Sequence, residues 1–320
     1  MKTLNQYINE KLKVSKKQYN YCPRTREELD DLLDQLLKER GWEADLNDID
    51  TSNITDMSGL FAKYREDIIK FKYNKNYNFS EFNGDISKWD VSNVTDMHSM
   101  FYWCEKFDGK CLENWNVSNI INMYAMFCGC EKLDCNLSKW DVSNVTDMES
   151  TFRLCNKFEG KGLENWDVSN VTNMCYMFYK CKEFKGKGLE NWNVSNVTDM
   201  HNMFGLCKEF EGKGLENWDV SNVTNMYAMF AECEELNCDL SKWDVSNVTN
   251  MCGMFCFCYK FEGKGLENWD VSNVTNMDIM FSNCKNFNCD LSKWDISNVN
   301  YYDDIFFKCP IKDEYKPKFR

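Results

Sequence analysis

Three side chains that could do chemistry recur at one fixed distance along the chain. Glu149, Cys175 and His201 are spaced 26 residues apart, and a cysteine beside a histidine is the core of a nucleophilic dyad. A cysteine-dependent enzyme is therefore one hypothesis. No pocket or oxyanion donor is evident beside this column, and helices in neighbouring repeats would lie about 8–10 Å apart. The sequence therefore favours a variable surface column over a catalytic one.

Three other patterns offer possible metal ligands. Cys252, Cys256 and Cys258 include soft donors but no CxxC pair. His98 and His201 hold equivalent positions four repeats apart, roughly 19 Å at about 4.8 Å per repeat, which is too far to share an ion. A column of Asp or Asn after the repeat's tryptophan could bind Ca²⁺, but these residues also suit turns. We predict no catalytic residue, no metal and no cofactor.

A repeat of 25 or 26 residues organises the chain. One unit, beginning at Trp166, reads WDVSNVTNMCYMFYKCKEFKGKGLEN. A degenerate unit begins at Ile49 and is followed by an insertion near residues 63–77. We count ten units, of which one is degenerate, eight are full and one is truncated. The register is marked by nine tryptophans: Trp89, Trp115, Trp140, Trp166, Trp192, Trp218, Trp243, Trp269 and Trp294.

Each unit predicts a short strand followed by a short helical segment. Segment 189–194 carries apolar residues at positions 1, 4 and 6, the LxxLxL strand pattern of leucine-rich repeats. Segment 200–207 places Met, Met, Phe and Cys at i, i+3, i+4 and i+7, one face of an α- or 3₁₀-helix. A lone unit buries too little apolar surface to fold, so units must stack. The predicted fold is a repeat solenoid, a leucine-rich-repeat-like stack of about ten rungs.

Different segments flank the repeats. Thr25 and Glu28 form a capping box, leucines follow on one helical face, and Gly41 ends the pattern. We predict a helical N-terminal cap over residues 1–45, with a separate partner-binding helix as the alternative. The solenoid spans 46–309, and residues 310–320 form a C-terminal tail.

The acidic composition limits the partners. The chain has 38 Lys and Arg against 51 Asp and Glu, a net charge of −13, which argues against nucleic acid. No apolar stretch approaches the roughly 20 residues of a membrane span. The N-terminal residues lack the apolar core of a Sec signal, so the sequence favours the cytoplasm and predicts reduced cysteines while leaving the compartment open.

Four positions per unit vary while their neighbours barely change. They are the ninth, tenth, thirteenth and fourteenth residues after the tryptophan, and they lie off the Met, Phe and Cys face, so we expect them to be exposed. Exposed aromatics favour recognition, and drift at unconstrained positions is the alternative. We predict that a protein or cell-surface ligand contacts His98, Tyr102, Trp103, Tyr124, Tyr176, Tyr179, His201, Tyr227 and Phe257.

The recurring WDVSNVTDM and the MF..C..F that follows it resemble the BspA-like leucine-rich repeat proteins. The resemblance covers about residues 46–309 and recurs nine times. It implies a leucine-rich-repeat-like solenoid with a role in binding or adhesion, often at bacterial cell surfaces. We therefore expect a non-enzymatic protein-binding or adhesion scaffold. The alternatives are a structural spacer in a larger assembly, such as a virion or surface layer, and the cysteine-dependent enzyme.

Overall fold

A computed structural model describes residues 19–63 and 79–318. Residues 1–18, most of the predicted insertion near 63–77, and the last two residues of the predicted tail lie outside the described residues. Within the described ranges, one α-helix, α1 (Arg26–Arg40), precedes the repeats. Five short 3₁₀-helices occur in the same ranges: Phe79–Glu81, Lys110–Leu112, Leu163–Asn165, Leu266–Asn268 and Asp313–Tyr315.

Helix α1 begins and ends where the sequence indicates. The Thr25 hydroxyl accepts a hydrogen bond from the Glu28 backbone N–H at 3.2 Å, and the Glu28 carboxylate accepts one from the Arg24 N–H at 2.7 Å. At the other end Gly41 has a φ of 84° and donates to the Leu37 carbonyl. The buried leucines of α1 join the core of the repeats, so the helix packs on the solenoid: Leu29, Leu33, Leu36 and Leu37.

Ten residues, one from each unit, form a single ladder of parallel β-bridges. Each lies seven residues after the tryptophan or its equivalent, so that Asp199 pairs with Asn173 on one side and Asn225 on the other. This ladder confirms the repeat solenoid and the register of ten rungs. The ladder residues are Asp56, Asp96, Asn122, Asp147, Asn173, Asp199, Asn225, Asn250, Asn276 and Tyr301.

The predicted helical segment of each unit is wrong, because this segment consists of two β-turns joined by a third bond of the same kind, from the Gly205 N–H to the Asn202 carbonyl in one rung. The Met203 N–H donates to the Met200 carbonyl at 3.1 Å, and the same bond closes a second turn over residues 204–207 at 3.0 Å. The third residue of each turn, Asn202 and Leu206, has a positive φ of 54° and 64°. A positive φ at this place is typical of a type II turn.

Hydrogen bonds between rungs replace the bonds along a helix. Alternate N–H groups of this segment donate to carbonyls of the next rung, as from Met200 to Asn225 at 3.1 Å and from Phe204 to Met229 at 2.9 Å. Rungs spaced at about 4.8 Å leave no room for stacked helices, which need about 8–10 Å each. Two consecutive turns also satisfy the i, i+3, i+4, i+7 spacing, which explains the misassignment.

The predicted strand over 189–194 is also wrong. The Trp192 N–H donates to the Leu189 carbonyl at 3.2 Å and closes a turn, while the equivalent residues Leu163–Asn165 form a 3₁₀-helix. The Trp192 indole then donates to the Leu163 carbonyl of the preceding rung. These bonds use the backbone groups that a strand ladder would need, and the ladder forms at Asp199 instead.

The repeated apolar columns form the core, as predicted. Met200, Met203, Phe204 and Cys207 are fully buried, and Trp192 is 4% exposed. Equivalent rings stack from rung to rung, with centroids 5.7 Å apart for Phe178 and Phe204 and 6.3 Å apart for Trp192 and Trp218. Among the described residues, no helix combines the length and apolarity needed to cross a membrane.

Candidate functional site

The four variable positions of each unit are the central residues of the two β-turns. In the rung of Trp192 they are residues 201, 202, 205 and 206, and stacking of the rungs aligns them into one surface. We name this surface the turn ridge and define it by positions 9, 10, 13 and 14 after each tryptophan. All nine predicted binding residues lie on it: His98, Tyr102, Trp103, Tyr124, Tyr176, Tyr179, His201, Tyr227 and Phe257.

Exposure on the turn ridge is less uniform than predicted. Tyr124, Tyr227 and Phe257 are exposed by 36%, 41% and 37%. The other six predicted residues are half-buried. The tenth position is mostly closed to solvent, where small or polar side chains fit beside the next rung: Ser99, Ala125, Ser150, Asn202 and Ala228. Variation at that position therefore does not indicate exposure.

An aromatic cluster occupies the middle of the turn ridge. The rings of Tyr176 and Tyr179 meet edge to face at 5.3 Å, and the Tyr176 ring meets that of His201 at 4.7 Å. The Arg153 guanidinium lies 4.9 Å from the Tyr176 ring centre and 5.4 Å from that of Tyr179. Such cation–π contacts hold flat side chains in place, so the cluster is pre-organised.

An apolar groove begins at this cluster and follows the turn ridge across five rungs. It encloses about 290 Å³, and Tyr179, Tyr227 and Phe257 form its walls. Its floor consists of small residues: Gly205, Ala228, Ala231 and Gly253. Ile279, which is 39% exposed, lies at the far end. Glu232 adds one carboxylate and Asn202 one amide to this mostly apolar lining.

Small residues shape the groove, and the sequence-based prediction, which rested on aromatic residues, did not include them. A Cβ atom on Gly205 would approach the Tyr179 ring to 3.1 Å, so the glycine lets the ring lie flat against the next rung. Ala231 occupies the same turn position one rung further along. The sequence did contain a signal for the groove. A glycine or alanine follows a large aromatic residue in the same column, and this difference in side-chain size creates a depression in the surface.

The other surfaces of the solenoid are repetitive and internally bonded. A ladder of asparagines links the rungs, with Asn196 Nδ2 donating to the Ser169 carbonyl at 2.7 Å and Asn222 to Ser195 at 2.7 Å. The acidic column after the tryptophan caps turns, as Asp219 accepts from the Ser221 N–H at 3.1 Å. These side chains hold the backbone, and their columns barely differ between rungs.

The cysteine column consists of buried hydrogen-bond donors. None of the eighteen cysteines is in a disulfide bond. Eight members of the column point at a phenylalanine carbonyl of the preceding rung, as Cys207 does at Phe178, 2.8 Å away. Burial raises the pKa of Cys207 to about 12. A protonated thiol is inert, so these residues serve packing.

The structure brings Cys175 and His201 together as the spacing indicated. Their ligand-type atoms and those of Asp199 all lie within 4.8 Å of one another. Burial first, and then the Asp199 carboxylate, raise the pKa of Cys175 far above its usual range. A nucleophilic cysteine needs a lowered pKa, so the geometry resembles a dyad while the electrostatics oppose a thiolate. Glu149 adds further negative charge.

Comparison with protein families identifies the chain's relatives. The family described as "Mycoplasma protein of unknown function, DUF285" matches residues 31–109, 71–187, 148–255 and 237–314. These overlapping matches cover well over half of the chain, so the chain belongs to this repeat family. No curated protein sequence matches it. The BspA-like resemblance is not part of the family's description and stays a prediction.

The similarity to solved structures is weak, as one example shows. That structure is titled "Crystal structure of TLR13-ssRNA13 complex", and the similarity covers 82% of this chain at 11% sequence identity and a TM-score of 0.22. The chain spans 44% of the length of that protein. A similarity this weak does not support a fold assignment. The assignment of a repeat solenoid is based on the repeat family and on the ladder of ten rungs.

Proposed function

We propose that this member of the DUF285 repeat family is a non-enzymatic protein-binding scaffold whose partner docks in the apolar groove of the turn ridge. The distribution of exposed large apolar side chains carries the proposal. Among the described residues eight such side chains are exposed by more than a third, and five of them lie on the turn ridge: Tyr124, Tyr227, Phe257, Ile279 and Phe307. Concentrated exposed apolar surface marks interaction sites.

The contrast with the remaining surface supports this assignment. The asparagine and acidic columns repeat the same residue in almost every rung and use their polar atoms to bond the backbone. Of the surfaces that residues 19–63 and 79–318 form, the turn ridge combines variation and exposure with aromatic side chains, the residue types enriched at binding hot spots. A spacer would need no such difference between one rung and the next.

The groove fits an extended peptide segment with apolar and basic side chains. It crosses five rungs, roughly 19 Å at about 4.8 Å per rung, which is the length of about six extended residues. Its walls are aromatic, Glu232 lies among them, and the chain carries a net charge of −13. A segment of a surface protein would give the adhesion role that the BspA-like resemblance implies.

The experiment selects displayed peptides of about eight residues on the intact chain and measures their dissociation constants. The test variant changes Tyr179, Tyr227 and Phe257 to Ser, a residue that already occupies the turn ridge at Ser282. We expect binding to weaken by at least about 2 kcal/mol, or roughly 30-fold. The thermal transition should not move.

Two off-ridge substitutions provide the matched control. Ile121→Thr and Tyr301→Asn remove exposed apolar side chains of 50% and 61% exposure and restore the residue most common in their columns. These variants should bind as the parent does. Retained binding by the triple variant, combined with loss on charge reversal of Glu190, Glu216 and Asp219, would place the site on the outer face of the rungs and overturn the proposal.

A further inference from the structure

We propose that Cys175, Asp199 and His201 form a binding site for one Zn²⁺ ion at the edge of the turn ridge. One sulfur, one carboxylate oxygen and one imidazole nitrogen lie within 4.8 Å of one another there. Among the residues that the structure describes, no other group of three or more His, Cys, Asp or Glu side chains converges in this way. None of the three ligands lines the peptide groove.

Stacking of adjacent rungs builds the site. Cys175 and His201 occupy the same position in consecutive rungs, which a backbone bond from the Tyr176 N–H to the His201 carbonyl holds together at 3.0 Å. Asp199 is the β-bridge residue of the second rung and lies two residues before His201. The sequence-based prediction of no metal compared the two histidines with each other and took Cys175 and His201, on neighbouring rungs, only as a possible nucleophilic dyad.

The carboxylate is fixed before any ion binds. Asp199 Oδ1 accepts the His201 backbone N–H at 3.0 Å and lies 3.0 Å from the His201 Nδ1. Asp199 Oδ2 accepts a bond from Asn225 Nδ2 of the following rung at 3.2 Å. Outer hydrogen bonds of this kind orient metal ligands and sustain affinity.

The donor set selects zinc among common divalent ions. Thiolate and imidazole ligands favour Zn²⁺ over Mg²⁺ or Ca²⁺, which prefer oxygen alone. Zinc bonds of about 2.0–2.3 Å put neighbouring ligands roughly 3.5 Å apart, so the most distant pair of donors, which lie within 4.8 Å, would approach by about 1 Å, while Asp199 Oδ1 and His201 Nδ1 are already 3.0 Å apart. Cys175 is 2% exposed, while the Asp199 and His201 side chains are 34% and 25% exposed. Solvent can therefore supply the fourth ligand.

The charge around the thiol also suits a cation. The carboxylates of Glu149 and Asp199 belong to the rungs on either side of Cys175, so a cation bound to its sulfur would lie between two negative charges. A divalent ion bound there takes the place of the thiol proton and neutralises the same negative charge, because coordination deprotonates a thiol outright.

Two other places in the chain contain parts of the site and serve as controls. His98 and Asp96 form the same pair at 2.9 Å, but Ser58 occupies the place of the cysteine in the rung before. Cys252 occupies the cysteine's position, but the following rung offers Asp278 in place of histidine. A site that needs all three ligands forms at neither place.

The experiment titrates the intact, reduced chain with Zn²⁺ by calorimetry and with Co²⁺ by absorption. We expect one tight site per chain, with a sulfur-to-cobalt charge-transfer band. Cys175→Ser and His201→Asn should each weaken Zn²⁺ binding at least about 10-fold and abolish the band. Serine and asparagine both fit turns, and circular dichroism with a thermal scan verifies that the variants fold.

Matched variants make each outcome decisive. Cys252→Ser and His98→Asn should leave the affinity, the stoichiometry and the cobalt band unchanged. Equal binding by the parent and by Cys175→Ser, or loss of the band in Cys252→Ser, would overturn the proposal. So would the absence of any sulfur-to-cobalt band in the parent chain. None of these results bears on peptide binding in the groove, which the triple aromatic variant tests separately.

Discussion

The indole Nε1–H of Trp192 donates a 2.9 Å hydrogen bond to the backbone carbonyl of Leu163 in the preceding rung. The relationship repeats along the column, as between Trp218 and Leu189 at 3.0 Å. Each rung is therefore bonded to its neighbour through a buried side chain as well as through the backbone. Removing one such side chain disturbs two rungs at once.

Truncation of the core in a central rung should divide the solenoid. Trp192→Ala and Phe204→Ala each remove a buried ring that stacks on both neighbours. We expect each to lower the free energy of unfolding by about 3–5 kcal/mol. Because stability in solenoids depends on contacts between neighbours, the single thermal transition should separate into two. An unchanged melting curve in calorimetry would show that these columns are not core.

Glycine substitution on the turn ridge distinguishes turns from helices by the sign of its effect. Ile279 is β-branched and has a φ of 50°, a conformation that costs roughly 1–2 kcal/mol. Ile279→Gly should therefore raise the free energy of unfolding by up to about 1 kcal/mol. In a helix the same change would lower it by about 1 kcal/mol.

The reverse substitution is the control for this prediction. Gly253 occupies the equivalent position one rung earlier with a φ of 63°. Gly253→Val should lower the free energy of unfolding by about 1–2 kcal/mol. Urea unfolding of both variants measures the two signs, and agreement with the helical expectation for Ile279→Gly would contradict the turn structure.

The sequence predicted the period, the columns and the core, but not the backbone that connects them. Burial follows from residue type, and so Met200 and Phe204 are buried whether they lie on a helix or on turns. Their spacing fits both, and only the distance between rungs excludes the helix. Likewise, the groove depends on Gly205 and Ala231, whose importance comes from the absence of side-chain volume. Asp199 joins Cys175 only through contacts between rungs.

The thiols should be reduced and protected. Cys22 is the exposed member of the eighteen, and burial raises the pKa of the column thiols, as for Cys207. We expect native protein to show one rapidly alkylated cysteine, identified by mass spectrometry as Cys22. Denaturation without reductant should then release all eighteen thiols. Recovery of only a few would mean that disulfides form and that the reduced column is incorrect.

The stability contributed by His98 should depend on pH. Its hydrogen bond with Asp96, aided by the charge of Asp56, raises the pKa of His98 above its usual value. Because the pKa of His98 is higher in the folded than in the unfolded protein, protonation stabilises the folded state at pH values below the unfolded pKa of about 6.5. This stabilisation is lost as the pH rises through the folded pKa. His98→Gln should lower the free energy of unfolding by about 0.5–1 kcal/mol at about pH 5.5.

The same substitution should have no effect at about pH 8.5, where the imidazole is neutral in both states. Asp96→Asn is the matched variant, because Asn122 occupies the same position in the next rung and bonds its turn in the same way. Asp96→Asn should lower the free energy of unfolding at about pH 5.5 by a similar amount. Urea unfolding at both pH values measures the difference, and equal destabilisation by His98→Gln at both would assign it to packing alone.

The most direct test of the binding surface is the dissociation constant of a selected peptide for Ala231→Leu. Ala231 lies on the floor of the groove, and larger residues occupy its column elsewhere, including Tyr102. A leucine there fills the groove without strain, so we predict unchanged unfolding and at least about 10-fold weaker binding. Tyr102→Leu, in the same column outside the groove, should bind as the parent does. Undiminished binding by Ala231→Leu would contradict the claim that the partner occupies this groove.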